Sequence, residues 1–276
     1  MRRTTRKALT HLFLFGCALF SIIYLTHPQS NSKYFAWNKV RYETSAAILP
    51  ELRGICPDLA KTSKPALVVG RVSSDGDPEW LHALGKLYHV CIYTADAPTD
   101  ATSTYLQVPA NRGHEAMAYL TFLIDNYDNI PAAGAVFVHG SRRAWHNDSP
   151  DYDNAALLAA LNVSVALEPW GYHNLRCDWS LSMCPASMKP QGHFENSAQA
   201  VISPWDARAS SDAALPGAFV KLFGGAVKLG SSDAVRAQCC AQFVVAREQI
   251  WQHYRDEYVA LRQWLLDDDG APRDDQ

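Results

Sequence analysis

Two imidazoles, two guanidiniums and an indole lie within fifteen residues in the middle of the chain. They belong to His139 and His146, to Arg142 and Arg143, and to Trp145. An imidazole can serve as a general base near neutral pH, a guanidinium can clamp a phosphate or a carboxylate, and an indole can stack on a sugar or a base. This stretch is therefore our first candidate for a catalytic site. Its alternative is a hydrogen-bonded loop with a structural role only.

The same stretch ends in the tripeptide Asp151-Tyr152-Asp153. This D-x-D spacing is the one with which nucleotide-sugar enzymes hold a divalent metal across a diphosphate. Asp151 and Asp153 are therefore candidate ligands of a divalent metal cofactor. The spacing also arises by chance, so it does not establish a metal by itself.

A second group of polar residues, Asn111-Arg112-Gly113-His114-Glu115, precedes a predicted helix. Backbone amides at a helix N-terminus can bind an anion, and Glu115 can accept a substrate proton or bind a metal. The alternative is a capping box, with Asn111 as the helix cap and Glu115 in the first turn. As an isolated motif, the pattern favours the capping box.

Apolar runs at residues 66–72, 88–93 and 135–139 predict three buried parallel strands, with an amphipathic helix at 115–126. Further segments are predicted as helix at 154–161 and 247–266 and as strand at 163–167 and 241–245. Residues 168–230 are rich in Trp, Gly, Pro and Ser and predict little regular structure. We therefore expect a single α/β domain with a mostly parallel sheet over residues 65–266.

Ligands of open parallel sheets bind in the crevice beyond the carboxyl ends of the strands. Arg71, Asp75 and Asp77 lie at the end of the first predicted strand, and Thr94 and Asp96 lie at the end of the second. The 139–153 stretch follows the third. The predicted sheet therefore brings these groups to one edge.

The amino terminus has the pattern of a membrane anchor. Residues 1–7 form a basic tail, and the apolar run at 8–26 predicts a single transmembrane signal anchor with no A-x-A cleavage pattern after it; a cleaved signal peptide is the alternative. Positive charge before the span places the tail in the cytosol and the body in the lumen of the secretory pathway. Residues 27–64 are a predicted stem, and residues 267–276 are an acidic tail.

Six cysteines lie outside the apolar run, which agrees with an oxidising compartment. Cys177 and Cys184 close a short loop and are the most plausible pair. Cys239 and Cys240 are neighbours, so we expect each to pair elsewhere, because a vicinal bridge is strained. Cys91 has the alternative of being a small buried hydrophobe. No C-x-x-C pair exists, so a zinc site is not expected.

Composition and charge exclude several classes of protein. With 48% apolar and 19% charged residues, the chain is neither disordered nor a coiled coil. After the basic tail the chain carries 21 Lys and Arg against 28 Asp and Glu with no basic stripe, which argues against nucleic acid as a partner. Asn162-Val163-Ser164 is a glycosylation sequon, in keeping with a lumenal body.

Four motifs resemble a family of fungal proteins that carry a domain of unknown function: NRGHEAMAYL at 111–120, FVHGSRRAWH at 137–146, GYHNLRC at 171–177 and CCAQFVVARE at 239–248. The resemblance covers about residues 66–266. Members resemble small secretory-pathway proteins with a membrane segment, and some are encoded beside secondary-metabolite genes. The layout is also remotely similar to nucleotide-sugar glycosyltransferases, although His139-Gly140 stands where those enzymes usually carry acidic metal ligands.

The resemblance implies a glycosyltransferase-like enzyme that acts on a small molecule or a sugar. In this hypothesis, His139, His146 or Glu115 acts as the base toward an acceptor hydroxyl. Charge on the leaving diphosphate is offset by Arg142 and Arg143. The expected contacts to nucleotide and substrate come from Asp75, Asp77, Asp96, Asn111, Arg112 and Trp145.

Two other hypotheses stay open. The first is a tailoring enzyme that uses no nucleotide, such as a cyclase or isomerase, with Trp145, Trp170 and Trp179 lining a pocket for a hydrophobic metabolite. The second is a lumenal binding or assembly protein without catalytic activity, in which the cysteines and aromatic residues form a scaffold.

Overall fold

The computed structural model describes residues 3–26, 31–32, 39–42, 53–96, 102–176, 189–235 and 238–267. The chain divides into two compact units. The smaller unit comprises Met1–Ala36, Cys184–Pro216 and Leu229–Arg236, and the larger comprises Trp37–Met183, Gly217–Lys228 and Ala237–Gln276. Residues 65–266 therefore contribute to both units.

Strands and helices alternate along much of the chain. The strands are β1 Asn31–Ser32, β2 Ala66–Arg71, β3 His89–Thr94, β4 Leu106–Gln107, β5 Ala135–His139, β6 Tyr172–Asn174, β7 Asp233–Ala234 and β8 Phe243–Val245. The α-helices are α1 Arg3–Thr26, α2 Glu115–Asp125, α3 Asn154–Ala160, α4 Val163–Ala166, α5 Phe194–Ile202, α6 Ala207–Phe223, α7 Arg247–Ile250 and α8 Arg255–Asp267.

The larger unit is built on a six-stranded sheet with the order β4-β3-β2-β5-β8-β6. The pairings among β2, β3, β4 and β5 are parallel, and β8 runs antiparallel to both of its neighbours. The predicted α/β class with a mostly parallel sheet is confirmed. After β4 the chain returns to the other side of β2, so the strand order reverses between β2 and β5.

Residues 66–69 of β2 and 135–138 of β5 are apolar and buried because both faces of the sheet are covered. Val68 and Phe137 face the cluster that contains residues of α2 and α8. Val69 and Val138 point to the other face and pack in a cluster with Leu158 of α3. All five side chains are fully buried. The two clusters fix the strand ends that carry the candidate residues.

Several predicted elements need correction. The strand predicted at 163–167 is wrong, because the Asn162 side chain accepts the Val165 N–H at 3.3 Å and caps the helix α4 instead. The helix predicted at 247–266 is two helices, α7 and α8. Tyr254, between them, donates its N–H to Oε2 of Glu257 at 3.0 Å. Residues 168–230, for which little structure was predicted, contain β6, α5 and α6.

A disulfide joins Cys56 to Cys91 of β3. Cys56 also donates its N–H to Oδ1 of Asn126 at 2.8 Å, and Leu59 is buried in the core. The segment from residue 53 to 64, which we assigned to the stem, thus packs on the sheet. Cys91 is buried, as its alternative interpretation stated, but in a bridge.

A second disulfide joins the neighbours Cys239 and Cys240. The expectation that each pairs elsewhere is wrong. Cys240 and Ala241 have φ of 83° and 45°, and this left-handed turn accommodates the vicinal bridge. Cys177 and Cys184 lie outside the described residues, as do residues 268–276 of the acidic tail.

The helix α1 is long and apolar enough to cross a membrane over Arg6–Tyr24, with a mean hydropathy of 1.6. At 1.5 Å per residue its 24 residues extend about 36 Å, compared with about 30 Å for a hydrocarbon core. Its described side chains are all exposed. This helix is a candidate membrane anchor.

Candidate functional site

A cleft of about 330 Å³ opens at the carboxyl ends of β2, β3 and β5. It lies where the strand order reverses, which is where open parallel sheets bind ligands. Its lining comes from these strand ends and the start of α2: Gly70, Arg71, Val72, Asp75, Ala95, Asn111, His114, Glu115, Ala118 and His139. The cleft therefore brings together four predicted residues, Asp75, Asn111, Glu115 and His139.

Gly70 allows α2 to lie close to the sheet beside the cleft. It pairs with His139 across β2 and β5. A Cβ at Gly70 would lie 3.2 Å from Cβ of Ala118 and 3.4 Å from Cβ of Glu115. The first turns of α2 thus approach the strand ends because this position has no side chain.

Glu115 and His139 face each other across the cleft. Nδ1 of His139 lies 3.9 Å from Oε2 of Glu115, and the two side chains are 17% and 25% exposed. This distance is too long for a direct hydrogen bond. A ligand hydroxyl placed between the two groups would be within reach of both.

The backbone around His139 determines which of its nitrogens faces the cleft. Its Nε2 lies 2.9 Å from the carbonyl oxygen of Cys240, in the vicinal disulfide turn. Because a carbonyl only accepts hydrogen bonds, Nε2 carries the proton. With this proton on Nε2, Nδ1 is the nitrogen that faces Glu115. This is the arrangement of a general base that a neighbouring carboxylate can stabilise after protonation.

His146 packs against His139, with 4.4 Å between the ring centroids. Partial burial, together with the neighbouring His139 and Arg176, lowers the pKa of His146 to about 4. Its Nδ1 is buried and has no hydrogen-bond partner among the described residues. His146 is therefore a neutral ring behind His139 at neutral pH.

The tryptophans do not line the cleft in the described part of the chain. Trp145 is exposed and lies beside His146, and the guanidinium of Arg176 sits 5.4 Å from its ring centroid. Trp170 is also exposed, and Trp179 lies outside the described residues.

The loop after β5 is stabilised by hydrogen bonds between its own residues. Arg142 binds Asp153 through Nε and a second guanidinium nitrogen, the latter at 2.9 Å. These hydrogen bonds raise the pKa of Arg142 and lower the pKa of Asp153. The side chains of Asn147 and Asn154 are fully buried and bonded to each other at 2.8 Å. Arg143 is exposed and pairs with Asp153 through its backbone. Neither arginine lines the cleft.

Two of the predicted acidic residues organise loops around the cleft. Asp75 accepts from the Val72 N–H at 2.9 Å and from the Ser141 hydroxyl at 2.7 Å, which connects the loops after β2 and β5. Asp96 accepts from the Ser73 N–H. Asp77 is placed farther along, where it caps the short 3-10 helix Pro78–Lys86. Among the three, Asp75 lines the cleft.

The N-cap of α2 is His114, so the prediction of Asn111 as its cap is wrong. Gly113 and His114 have φ of 70° and 52°, so a left-handed turn separates Asn111 from the helix. Arg112 turns away from the cleft and donates to the Leu266 carbonyl at 2.7 Å, at the end of α8. Asn111 itself lines the cleft.

Three residues at or beside the cleft had no predicted role. Arg71 ends β2 and lines the cleft; its position at a strand end was recognised in the sequence, but no role was assigned to it. Gln242 accepts the His139 N–H at 3.1 Å, and Tyr119 follows Glu115 by one helical turn. Neither Gln242 nor Tyr119 carried a local signal in the sequence.

Three polar atoms near the cleft are buried without a hydrogen-bond partner in the described chain: Nε of Arg71, Oη of Tyr119 and Nε2 of Gln242. Buried polar groups are normally bonded, so the Arg71 nitrogen, in the lining of the cleft, is open to a ligand or to water. Tyr119 and Gln242 are buried and lie outside this lining.

The D-x-D tripeptide does not form a ready metal site. Asp153 uses its oxygens for Arg142 and for the Ala155 N–H at the start of α3, and Asp151 is exposed. Among the described residues, three candidate ligand groups come within 4.8 Å of one another at Cys56, His89 and Cys91. Both sulfurs there are joined in the disulfide. The carboxylate oxygens of Asp153 thus stabilise the loop through these hydrogen bonds.

Comparison with known proteins identifies the family of the chain. No curated protein and no solved structure matches it significantly. The family model described as "Protein of unknown function (DUF3431)" matches residues 67–276, a range that contains the whole six-stranded sheet except its first residue. The chain belongs to this family.

Proposed function

We propose that the protein is a membrane-anchored transferase that moves a sugar from a nucleoside diphosphate to a hydroxyl group of an acceptor. The observation that carries the proposal is the pairing of Glu115 and His139 in a cleft at the strand-order reversal of a mostly parallel sheet. Such positions accommodate nucleotides and similar ligands in open sheets. The remote similarity to nucleotide-sugar glycosyltransferases is consistent with this assignment.

His139 is the proposed base. The acceptor hydroxyl gives its proton to Nδ1 of His139, and its oxygen forms the new bond to the anomeric carbon. The bond from that carbon to the diphosphate breaks, and its electron pair leaves on the diphosphate oxygen. Glu115, 3.9 Å from Nδ1, then stabilises the imidazolium. His146, with its pKa near 4, remains neutral and adds no competing positive charge.

Arg71 is the proposed partner of the leaving diphosphate. It lines the cleft. Its guanidinium donates a hydrogen bond to the Gly76 carbonyl at 3.1 Å and makes a cation–π contact with the Tyr105 ring, whose centroid lies 4.9 Å away. A fixed cation at this point offsets the charge that develops on the leaving group. Because Asp153 engages Arg142, we transfer to Arg71 the role first expected of Arg142 and Arg143.

The proposed location is the secretory pathway, with α1 as a signal anchor and the body in the lumen. The basic residues before the span and the Cys56–Cys91 disulfide are consistent with this orientation. Asn162 of the sequon is exposed at the N-cap of α4. A small hydroxylated metabolite is the acceptor class that the resemblance of the four motifs suggests.

Thermal unfolding of the full-length chain in detergent tests the proposal. We expect at least one nucleoside diphosphate, with or without Mn²⁺, to raise the melting temperature by several degrees. Arg71→Met should remove this shift, whereas Arg143→Met, which changes an exposed arginine outside the cleft, should keep it. Stabilisation by a hydrophobic metabolite alone would instead indicate a tailoring enzyme. No stabilisation by either class would favour a binding or assembly protein.

A further inference from the structure

The helix α5 in the smaller unit exposes an apolar stripe. Phe194, Val201 and Ile202 are 62%, 80% and 68% exposed, and Trp205, just beyond the helix, is 81% exposed. The exposed Ala198 completes the set, which we call the α5 stripe. Residues 194, 198, 201 and 202 recur at helical spacing, so they share one face of α5. Trp205 follows three residues after the helix ends. Contiguous apolar patches of this kind mark interaction surfaces.

The chain connects this unit closely to the candidate membrane helix. β1 pairs in parallel with β7, and residues 27–30 alone separate α1 from β1. A chain extends at most about 3.6 Å per residue, so β1 lies within about 18 Å of the end of α1. The unit that carries α5 is therefore tethered next to whatever surface α1 emerges from.

We propose that the α5 stripe docks on the lipid interface of the same membrane that α1 spans. This inference rests on the anchor in the proposed function. Amphipathic helices lie in the interface with their apolar face at the boundary between headgroups and acyl chains, and Trp is enriched at that depth. Docking there would hold the smaller unit at the bilayer surface.

The charge of α5 indicates how it binds. Its sequence, FENSAQAVI, contains no Lys or Arg, and its one carboxylate, Glu195, pairs with Lys189. Binding must therefore come from burial of apolar surface rather than from attraction to anionic lipid. We expect docking of equal strength on neutral phosphatidylcholine and on bilayers that also contain phosphatidylserine.

Quenching of Trp fluorescence by brominated lipid tests this docking. The full-length chain is reconstituted in phosphatidylcholine vesicles with and without bromine on the acyl chains, and emission is compared. We expect Trp205→Phe to remove at least half of the quenching seen in the wild type. Trp170→Phe, which removes an equally exposed indole from the larger unit, should leave the quenching unchanged. A second variant, Val201→Asp with Ile202→Asp, should release Trp205 from the lipid and restore its emission.

Three other outcomes would contradict docking of the α5 stripe on the lipid interface. If the chain floats with the vesicles but Trp205→Phe leaves quenching unchanged, the docking is wrong and the anchor stands. Cross-linking of two chains through the α5 stripe, with no quenching of Trp205, would assign the surface to a second copy. A chain that does not float with the vesicles contradicts the anchor and the docking together. None of these results depends on nucleotide binding.

Discussion

Nδ1 of His139, at the end of β5, lies 3.9 Å from Oε2 of Glu115, at the start of α2. These residues meet because Gly70 of β2 pairs with His139 and leaves room for the first turns of α2. The site therefore depends on the packing of three elements that are remote in sequence.

Gly140→Ala should damage the cleft and the fold together. A Cβ at this position would overlap Cβ of Arg71 and lie 2.6 Å from Oδ2 of Asp75. Overpacking of this kind costs about 1–3 kcal/mol of unfolding free energy. Urea unfolding measures the loss, and ligand-induced stabilisation should decrease with it. Gly85→Ala is the control, since nothing lies within 4 Å of its added Cβ. Equal stability of the two variants would contradict the close approach of the strand ends.

Removal of the disulfide between Cys56 and Cys91 should lower the free energy of unfolding by about 2–4 kcal/mol. The bridge joins residues 35 positions apart, and in the chain-entropy account it restricts the unfolded chain. The double variant Cys56→Ala with Cys91→Ala tests this by urea unfolding in detergent. Cys17→Ala, which removes a free exposed thiol on α1, should leave stability unchanged. A double variant as stable as the wild type would show that the bridge does not form.

His146 should make the stability of the fold sensitive to mild acid. Its pKa of about 4 in the folded protein lies below the ordinary value of 6.5, so the unfolded chain binds this proton more tightly. The stability contribution is complete above about pH 6.5 and declines as the pH falls toward 4. Unfolding measured across this range should show a smaller decline for His146→Gln than for the wild type. His82→Gln, at an exposed position, should decline like the wild type. An identical decline in all three proteins would contradict the burial of His146.

The central strands and the position of the cleft could be predicted because both are local signals. Unbroken apolar runs identify buried parallel strands, and the residues just after them, such as Asp75 and His139, fall at the strand-order reversal. The hydrogen bond from the His139 N–H to Gln242 could not be predicted from the sequence. Gln242 precedes β8, which pairs with β5 although it lies more than a hundred positions later in the chain. The pairing of Arg142 with Asp153 could not be predicted for a similar reason, since it depends on the shape of the loop.

Local cap chemistry accounts for the errors in secondary structure. Asn162 accepts the Val165 N–H and begins a helix in a run of apolar residues that also fits a strand. At α2 the left-handed turn at Gly113 and His114 delays the helix past Asn111. The helix α5 was missed because its apolar positions face outward, so no core signal accompanied them.

The orientation of the body is tested in sealed microsomes. Protease should spare the body until detergent is added, and Asn162 should carry a glycan. Ser164→Ala is the appropriate variant, because it removes the sequon and keeps the Asn162 side chain that caps α4. It should abolish the shift in electrophoretic mobility caused by the glycan. Digestion of the body without detergent, or a soluble mature form that lacks residues 1–27, would contradict the signal anchor.

The central claim, that His139 is the base of a sugar transfer in this cleft, is tested most directly by the rate of sugar release from a nucleotide sugar. The substrate is the one whose diphosphate gives the largest thermal stabilisation. We expect His139→Ala to reduce the rate by about 10²–10⁴-fold with the diphosphate still bound, and His82→Ala, at an exposed position, to keep the wild-type rate. Glu115→Gln should also slow the reaction and leave the melting temperature nearly unchanged. A wild-type rate in His139→Ala would contradict the account.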